Sequence, residues 1–244
     1  MPNPKNSEAL QRVLVIVPSY NEADNLPSVI AELHRISPDY DVAVIDDGSS
    51  DRTSEVASAL SVRLISLPCN LGIGGAVQTG LQYAQQQRYD IAVRVDGDGQ
   101  HPPAEIPKLL QVLKETKSDL VIGSRFRERD GYQSTFGRRI GIRLLSWILS
   151  ALCQIDITDA TSGFSALSRR GICLLAKEYP EDYPEVEAIV IMERAGLRIT
   201  EIPVSMACRQ AGRSSIGMLQ SISYMIKVPL AIFMNLVRPR SSLT

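Results

Sequence analysis

Val93-Arg94-Val95-Asp96-Gly97-Asp98-Gly99-Gln100-His101-Pro102-Pro103 joins an apolar, β-branched run to two carboxylates spaced i, i+2, with glycines beside them. Such a pattern predicts a buried strand that delivers Asp96 and Asp98 to its C-terminal tip. Open α/β sheets bind their ligands at tips of this kind. Two hard oxygen donors, with the Gln100 amide close behind, suit Mg²⁺ or Mn²⁺ better than zinc, and such a metal usually holds a diphosphate. The expectation is a metal-dependent enzyme with a nucleotide-linked substrate, its metal held by Asp96, Asp98 and Gln100. An isolated Asp-x-Asp is also a common turn or helix cap. The strand before it argues for a site.

Outward from this strand the first half of the chain alternates. Strands are expected at Arg12 to Val17 (ended by Pro18), Asp41 to Ile45, Arg63 to Leu67, Ile91 to Val95 and Leu120 to Ile122. Helices are expected at about Leu26 to Arg35, Thr53 to Leu60, Gly72 to Gln87 and Ala104 to Glu115. Strands and helices alternating at these lengths predict an α/β fold, a mostly parallel sheet with helices on both faces. The second half is less regular. Arg139 to Cys153 has helical periodicity, with Arg139, Arg143, Ser146 and Ser150 on one face and Trp147, Ile148 and Leu152 toward another. Ile199 to Val204 reads as a strand, at the sheet edge because of Pro203.

The 244 residues fit one large domain. With 26 basic against 27 acidic residues, bulk attraction to nucleic acid is not indicated. Cys69, Cys153, Cys173 and Cys208 are scattered without a CxxC pair, against a zinc site or disulfide framework and in keeping with a reducing cytosol. His34 and His101 are too few for a histidine-rich metal centre. Residues 1–11 form a polar segment without the apolar core of a signal peptide.

Two more strand tips carry chemistry. Val17-Pro18-Ser19-Tyr20-Asn21-Glu22 offers Tyr20 for stacking and Glu22 for hydrogen bonding to a base or ribose. Asp46-Asp47-Gly48-Ser49 offers acceptors for a base N–H or ribose hydroxyls, although turn chemistry ending in a helix cap explains the same residues. Gly72-Ile73-Gly74-Gly75 lacks the lysine and hydroxyl of a P-loop, and close helix packing accounts for it better than phosphate binding. Arg125, after the Leu120 strand, reaches either a diphosphate or a salt-bridge partner.

VIVPSYNEADNL, VIDDGSSDRT, NLGIGGAVQTGL, DGDGQHPP, GSRF, DATSGF and RQAGRSS occur in the order seen in family 2 glycosyltransferases of GT-A fold. The chain resembles their polyprenyl-phosphate, dolichyl-phosphate mannose synthase-like branch over roughly residues 12 to 215. The resemblance implies a GT-A catalytic domain over 12–212, with Pro18, Tyr20, Glu22, Ile45, Asp47, Asp96 and Arg125 around a UDP- or GDP-linked sugar. It implies Asp96, Asp98 and Gln100 around Mg²⁺ or Mn²⁺, with Asp98 the foremost ligand and Arg209 alongside in catalysis. Arg209, Arg213 and Ser214 would meet the acceptor phosphate. Two departures stand out. Ser215 occupies the place of a family lysine, so its cationic role passes to Arg213 or is absent, and Gly97 and Gly99 stand where alanine and leucine are frequent.

The chemistry implied is inverting transfer of a sugar to a polyprenyl phosphate. The rival is transfer to a saccharide or lipid-linked sugar hydroxyl, which needs a base, for which Glu185 and Glu187 are candidates against a solvated helix start. A nucleotidyltransferase would need a glycine- and lysine-rich phosphate loop, which Val15 to Asn25 does not contain. A non-catalytic nucleotide-binding scaffold is opposed by the Asp96/Asp98 pair. A lipid acceptor calls for a membrane surface. The Arg139 to Cys153 helix fits interfacial binding or ordinary core packing equally. Residues 213–244 are expected to form amphipathic helices for a membrane surface or subunit contact, polar interruptions in Ile216 to Val237 opposing one bilayer span. Peripheral attachment to the cytoplasmic face of the membrane follows, with a separate membrane-protein partner or a homo-oligomer as further possibilities.

Overall fold

The computed structural model describes residues 11–126, 146, 149–150, 155, 157–180 and 183–206. Strands β1 (Val13–Ser19), β2 (Asp41–Asp46), β3 (Arg63–Ser66), β4 (Ile91–Arg94), β5 (Leu120–Ser124), β6 (Ser165–Ser168) and β7 (Ile199–Pro203) form one sheet. Their order is β3-β2-β1-β4-β6-β5-β7. All pairings are parallel except those of β6, which runs antiparallel between β4 and β5. Among the described residues the helices are α1 (Leu26–Ile36), α2 (Thr53–Ala59), α3 (Gly72–Gln86), α4 (Ile106–Thr116), α5 (Arg169–Glu178) and α6 (Pro184–Arg194). The α/β reading of the sequence is the architecture observed.

The strands are apolar on both faces because both faces are covered. Leu14, Ile16, Ala43, Ile45, Ala92 and Ile122 pack with residues of α3, α5 and α6. The alternating Val13, Val15, Val17, Val44, Val93 and Val121 pack with α1, α2 and α4. On the first face Gly80 of α3 lies so close to β1 that a Cβ there would sit 2.4 Å from Ile16 Cγ2. Gly80 lies beyond the Gly72–Gly75 run, whose Gly72 opens α3 at φ +81° with nothing within 4 Å of a Cβ there.

Two boundaries differ from expectation for local reasons. β1 continues through Pro18 to Ser19, because Pro18 pairs with Ile45 and its carbonyl accepts from Gly97 N–H at 3.2 Å, so only one donor is lost. The expected helix from Ala104 starts instead as a 3-10 turn, Pro103–Glu105, with α4 following from Ile106. β6 and α5 were not anticipated, and α6 only as the helix start weighed for Glu185 and Glu187. β7 lies at the edge of the sheet, as Pro203 suggested.

Of the Arg139 to Cys153 segment only Ser146, Leu149 and Ser150 are described, all helical. Ser146 Oγ donates to Thr158 O at 3.1 Å, Ser150 Oγ accepts from Ile157 N–H at 3.3 Å, and Leu149 is buried. Both serines of the expected polar face therefore turn to protein. The rest of that helix, residues 1–10, and residues 207–244 with Arg209, Arg213, Ser214, Ser215 and the C-terminal helices lie outside the described residues.

Candidate active site

Parallel pairing carries the C-terminal ends of β1, β2, β4 and β5 to one edge of the sheet. Antiparallel β6 brings its N-terminal end there too, so residues 158–164 join the same edge. At the β1 tip Asn21 adopts φ +56°, and its Oδ1 accepts from Ser50 N–H at 2.9 Å and Asp51 N–H at 3.3 Å. The β1 and β2 tips are tied together by one short side chain. Tyr20 stays 46% exposed, as a stacking platform must. Glu22 is buried, its carboxylate accepting from the Asn25 amide and its N–H donating to Thr53 Oγ1 at 2.9 Å.

Asp47 is buried at the β2 tip and accepts from Leu71 N–H at 2.7 Å. Burial pushes its carboxyl above the ordinary value, against the pull of the Leu71 and Gly72 amides. Asp46 accepts from Ser49 N–H and the Ser54 hydroxyl. Gly48 between them has φ +67°, and a Cβ there would lie 2.6 Å from the Cys69 carbonyl carbon. The nucleoside-side loop closes only with glycine. Pro18 and Ile45 are buried in their strands, Ile45 within the core, so only its backbone could meet a nucleoside.

At the β4 tip the Asp96 carboxylate lies on the buried Arg94 guanidinium, with Nε to Oδ1 at 2.9 Å. Arg94 Nη1 reaches Glu185 of α6 at 2.8 Å. Burial acts to raise the Asp96 carboxyl, but the Arg94 charge overrides it and holds the group below the usual carboxylate range. Asp96 N–H donates to His101 Nδ1 at 3.0 Å, and the His101 ring stacks on Phe164 at 5.2 Å. Nδ1 is therefore an acceptor, and burial favours the neutral imidazole. Asp98 Oδ1 accepts from Gln100 N–H at 3.0 Å, which rigidifies the Asp-Gly-Asp turn. Gly97 tucks against Ser19, where a Cβ would be 2.6 Å from Oγ.

Among the described residues no group of three or more His, Cys, Asp or Glu gathers as a ready metal site. Mg²⁺ and Mn²⁺ need less from the protein, since one or two carboxylates with substrate phosphates and waters suffice. The two carboxylates of this turn, both partly exposed, fit that requirement.

Arg125 follows β5, and Asp159 holds it with Nε to Oδ2 at 2.7 Å and Nη2 to Oδ1 at 2.8 Å. Thr161 Oγ1 accepts a third bond at 2.8 Å. Asp159 is fully buried, and its own N–H is held by Glu201 of β7 at 2.7 Å. The salt bridge weighed for Arg125 exists, and it is internal.

Sequence reasoning missed Arg94, His101, Asp159 and Glu201 as parts of this edge. An arginine at the next-to-last inward position of an apolar strand is the signal that was available for Arg94, since a buried charge must find partners. Glu201 and Asp159 carry no local signal, because their partners are 42 and 34 residues away.

A family model described as Glycosyl transferase family 2 matches residues 14–173. The chain belongs to glycosyl transferase family 2. This glycosyltransferase is 33% identical over 218 residues to the undecaprenyl-phosphate mannosyltransferase of Micrococcus luteus, covering 84% of the chain and 88% of that protein. It is 28% identical over 225 residues to the polyprenol monophosphomannose synthase of Mycolicibacterium smegmatis, covering 88% and 84%. A UDP-N-acetylglucosamine–dolichyl-phosphate N-acetylglucosaminyltransferase of Methanococcus voltae is 30% identical over 212 residues, covering 79% and 84%. Among solved structures, glucosyl-3-phosphoglycerate synthase from Mycobacterium tuberculosis, in complex with Mn²⁺, UDP and phosphoglyceric acid, matches with TM-score 0.72 at 23% identity. That match covers 96% of this chain and 81% of that one, and it establishes the shared fold.

Proposed function

We propose that this glycosyltransferase moves a sugar from a nucleoside diphosphate to a polyprenyl phosphate, with inversion, using a divalent metal at Asp96 and Asp98. The observation that carries it is the single sheet edge on which Asp47, the Asp96/Asp98 turn and Arg125 follow one another, in a chain whose relatives are named for polyprenyl- and dolichyl-phosphate acceptors. Tyr20, Glu22 and Asp47 bind the nucleoside, and the backbone at Pro18 and Ile45 shapes its seat. Asp96 and Asp98, with Gln100 adjacent, hold Mg²⁺ or Mn²⁺, which when bound neutralises the departing diphosphate. Arg125 faces the donor phosphates, kept rigid by Asp159. Arg209, Arg213 and Ser214 are assigned to the acceptor phosphate.

An acceptor phosphate oxygen attacks the anomeric carbon as the bond to the diphosphate breaks on the opposite face. A phosphate monoester is already largely dianionic in neutral solution, its second pKa being about 6, so no protein base is required. Glu185 supports this acceptor over a sugar hydroxyl. It is 16% exposed and already paired with Arg94, where a base for a hydroxyl must be free to take a proton. Among the described residues no helix is long and apolar enough to cross a membrane. Peripheral binding at the cytoplasmic face, where the lipid phosphate is presented, completes the proposal.

The test is transfer of radiolabel from GDP-mannose, UDP-N-acetylglucosamine and other UDP- and GDP-sugars into an organic-extractable polyprenyl phosphate. Reactions run with Mn²⁺ or Mg²⁺, with EDTA, and with Asp98→Ala protein. Metal-dependent lipid label from one donor, absent with Asp98→Ala, is the expected result. Donor hydrolysis without lipid label would remove the lipid phosphate as acceptor.

A further inference from the structure

Arg94 sits in a slot built for it. It is 7% exposed, and Gly163 beneath it has no side chain to spare, since a Cβ there would lie 2.6 Å from Nη2 and 2.7 Å from Cζ. Tyr179, the residue that caps α5, lines the same pocket as Arg94 and Glu185. Two carboxylates then share one cation: Asp96, at the end of its own strand, and Glu185, in the first turn of α6. A cation touching a metal-binding carboxylate opposes the metal. Glu185 touches the guanidinium from the other side and draws part of that charge away. The cluster of Arg94, Asp96 and Glu185 carries one net negative charge, and Asp98 adds a second at the turn.

We propose that Glu185 and Arg94 are positioning residues that set the metal affinity of the Asp96/Asp98 turn. Arg94 holds the Asp96 carboxylate against the metal, and Glu185 weakens that hold. This rests on the metal reading of Asp96 and Asp98. It gives Glu185 a role in the reaction that is neither base nor ligand. It also explains why a charged residue occupies an inward strand position on the apolar face that carries Ile16 and Ala92.

The test is Mn²⁺ titration followed by the electron paramagnetic resonance signal of the free ion. It is run with whichever of UDP or GDP the wild-type protein binds, against a nucleotide-only blank, and thermal melts confirm folding. Glu185→Gln keeps the shape and an acceptor for Arg94 but removes the shared charge, and should weaken Mn²⁺ binding about tenfold. Arg94→Gln/Glu185→Gln removes the opposing cation as well and should bind Mn²⁺ more tightly than wild type. Opposite directions from the single and double variants are what general damage to the site would not produce. Unchanged Mn²⁺ affinity in Glu185→Gln overturns the inference by itself, as do shifts of both variants in the same direction. If the double variant does not fold, the single variant decides. Equal Mn²⁺ binding by wild type and Asp98→Ala would remove the metal reading, and the inference with it.

Discussion

Replacing Asp159 by alanine takes a fully buried carboxylate from the Arg125 guanidinium. The carboxylate accepts from Arg125 N, Nε and Nη2 and from Thr161 Oγ1, and it is fully buried while the Arg125 side chain is 10% exposed. Removing one member of a buried ion pair costs about 3–5 kcal/mol, most of it the penalty for the charge left behind. Against a total stability of roughly 5–15 kcal/mol this is a large fraction. At ~2–4 °C per kcal/mol for a chain of this size, the midpoint of thermal unfolding should fall by roughly 6–20 °C. Denaturant titration followed by circular dichroism measures the free energy, with the melt as a second probe. The companion Arg125→Met/Asp159→Ala removes both charges and should recover at least half of the loss, since the penalty comes from breaking a buried pair on one side only. A loss below about 1 kcal/mol, or a double variant no more stable than the single, would refute the reasoning. The pair would then be a solvated contact.

Three further substitutions probe the same edge. Gly48→Ala forces a Cβ into the Cys69 backbone at φ +67° and should cost roughly 2–4 kcal/mol while abolishing nucleotide binding, read by calorimetry; wild-type-like binding would contradict the close-approach argument. Asp47→Asn should stabilise the ligand-free protein at neutral pH. The folded carboxyl is raised, so the native state holds its proton more firmly than the unfolded chain, and the wild type gains stability as pH falls through that raised value. The advantage of Asp47→Asn should therefore shrink in acid, and an advantage that grows in acid would reverse the sign of the argument. Gly163→Ala crowds Arg94 and should destabilise by about 1–3 kcal/mol, with Arg94→Lys partly relieving the crowding when the two are combined.

How much of this was legible depended on distance along the chain. β1, β2 and β4 announce themselves because each is largely a run of inward residues on both faces, with a glycine soon after β2 and β4. The carboxylates at their tips were legible for the same reason, since two acids after a buried strand have few other uses. β6 was not. Ser165-Ala166-Leu167-Ser168 is four residues long and half polar, and its strand conformation comes from β4 and β5 on either side rather than from its own propensity. α6 hid behind Pro184, which reads as a break but occupies the first helical turn, where no N–H is needed. Glu185 was read as a base or a solvated helix start, and neither choice could include Arg94, which precedes it by 91 residues. Pair partners of buried charges are a property of the assembled sheet.

The sheet order also has a history written into it. β3, β2, β1 and β4 lie side by side and are complete once residue 94 has been made, whereas the remaining half needs the chain as far as residue 203. Short-range parallel pairings close first, and the inserted antiparallel strand must wait for its neighbour β5. The tips that carry Asn21 and Asp47 therefore belong to an early-forming half and the seat of Arg125 to a late one, joined at β4 by a single strand that serves both. Pulse-labelled hydrogen exchange during refolding should protect β1 and β2 amides before those of β5 and β7; simultaneous protection would make the sheet one cooperative unit. In a growing chain, Asp96 meets Arg94 from the moment β4 exists, and Glu185 comes to that pair only after 89 more residues have followed Asp96. The Asp96/Asp98 turn is the seam of the molecule, and its electrostatic balance is finished only when α6 arrives.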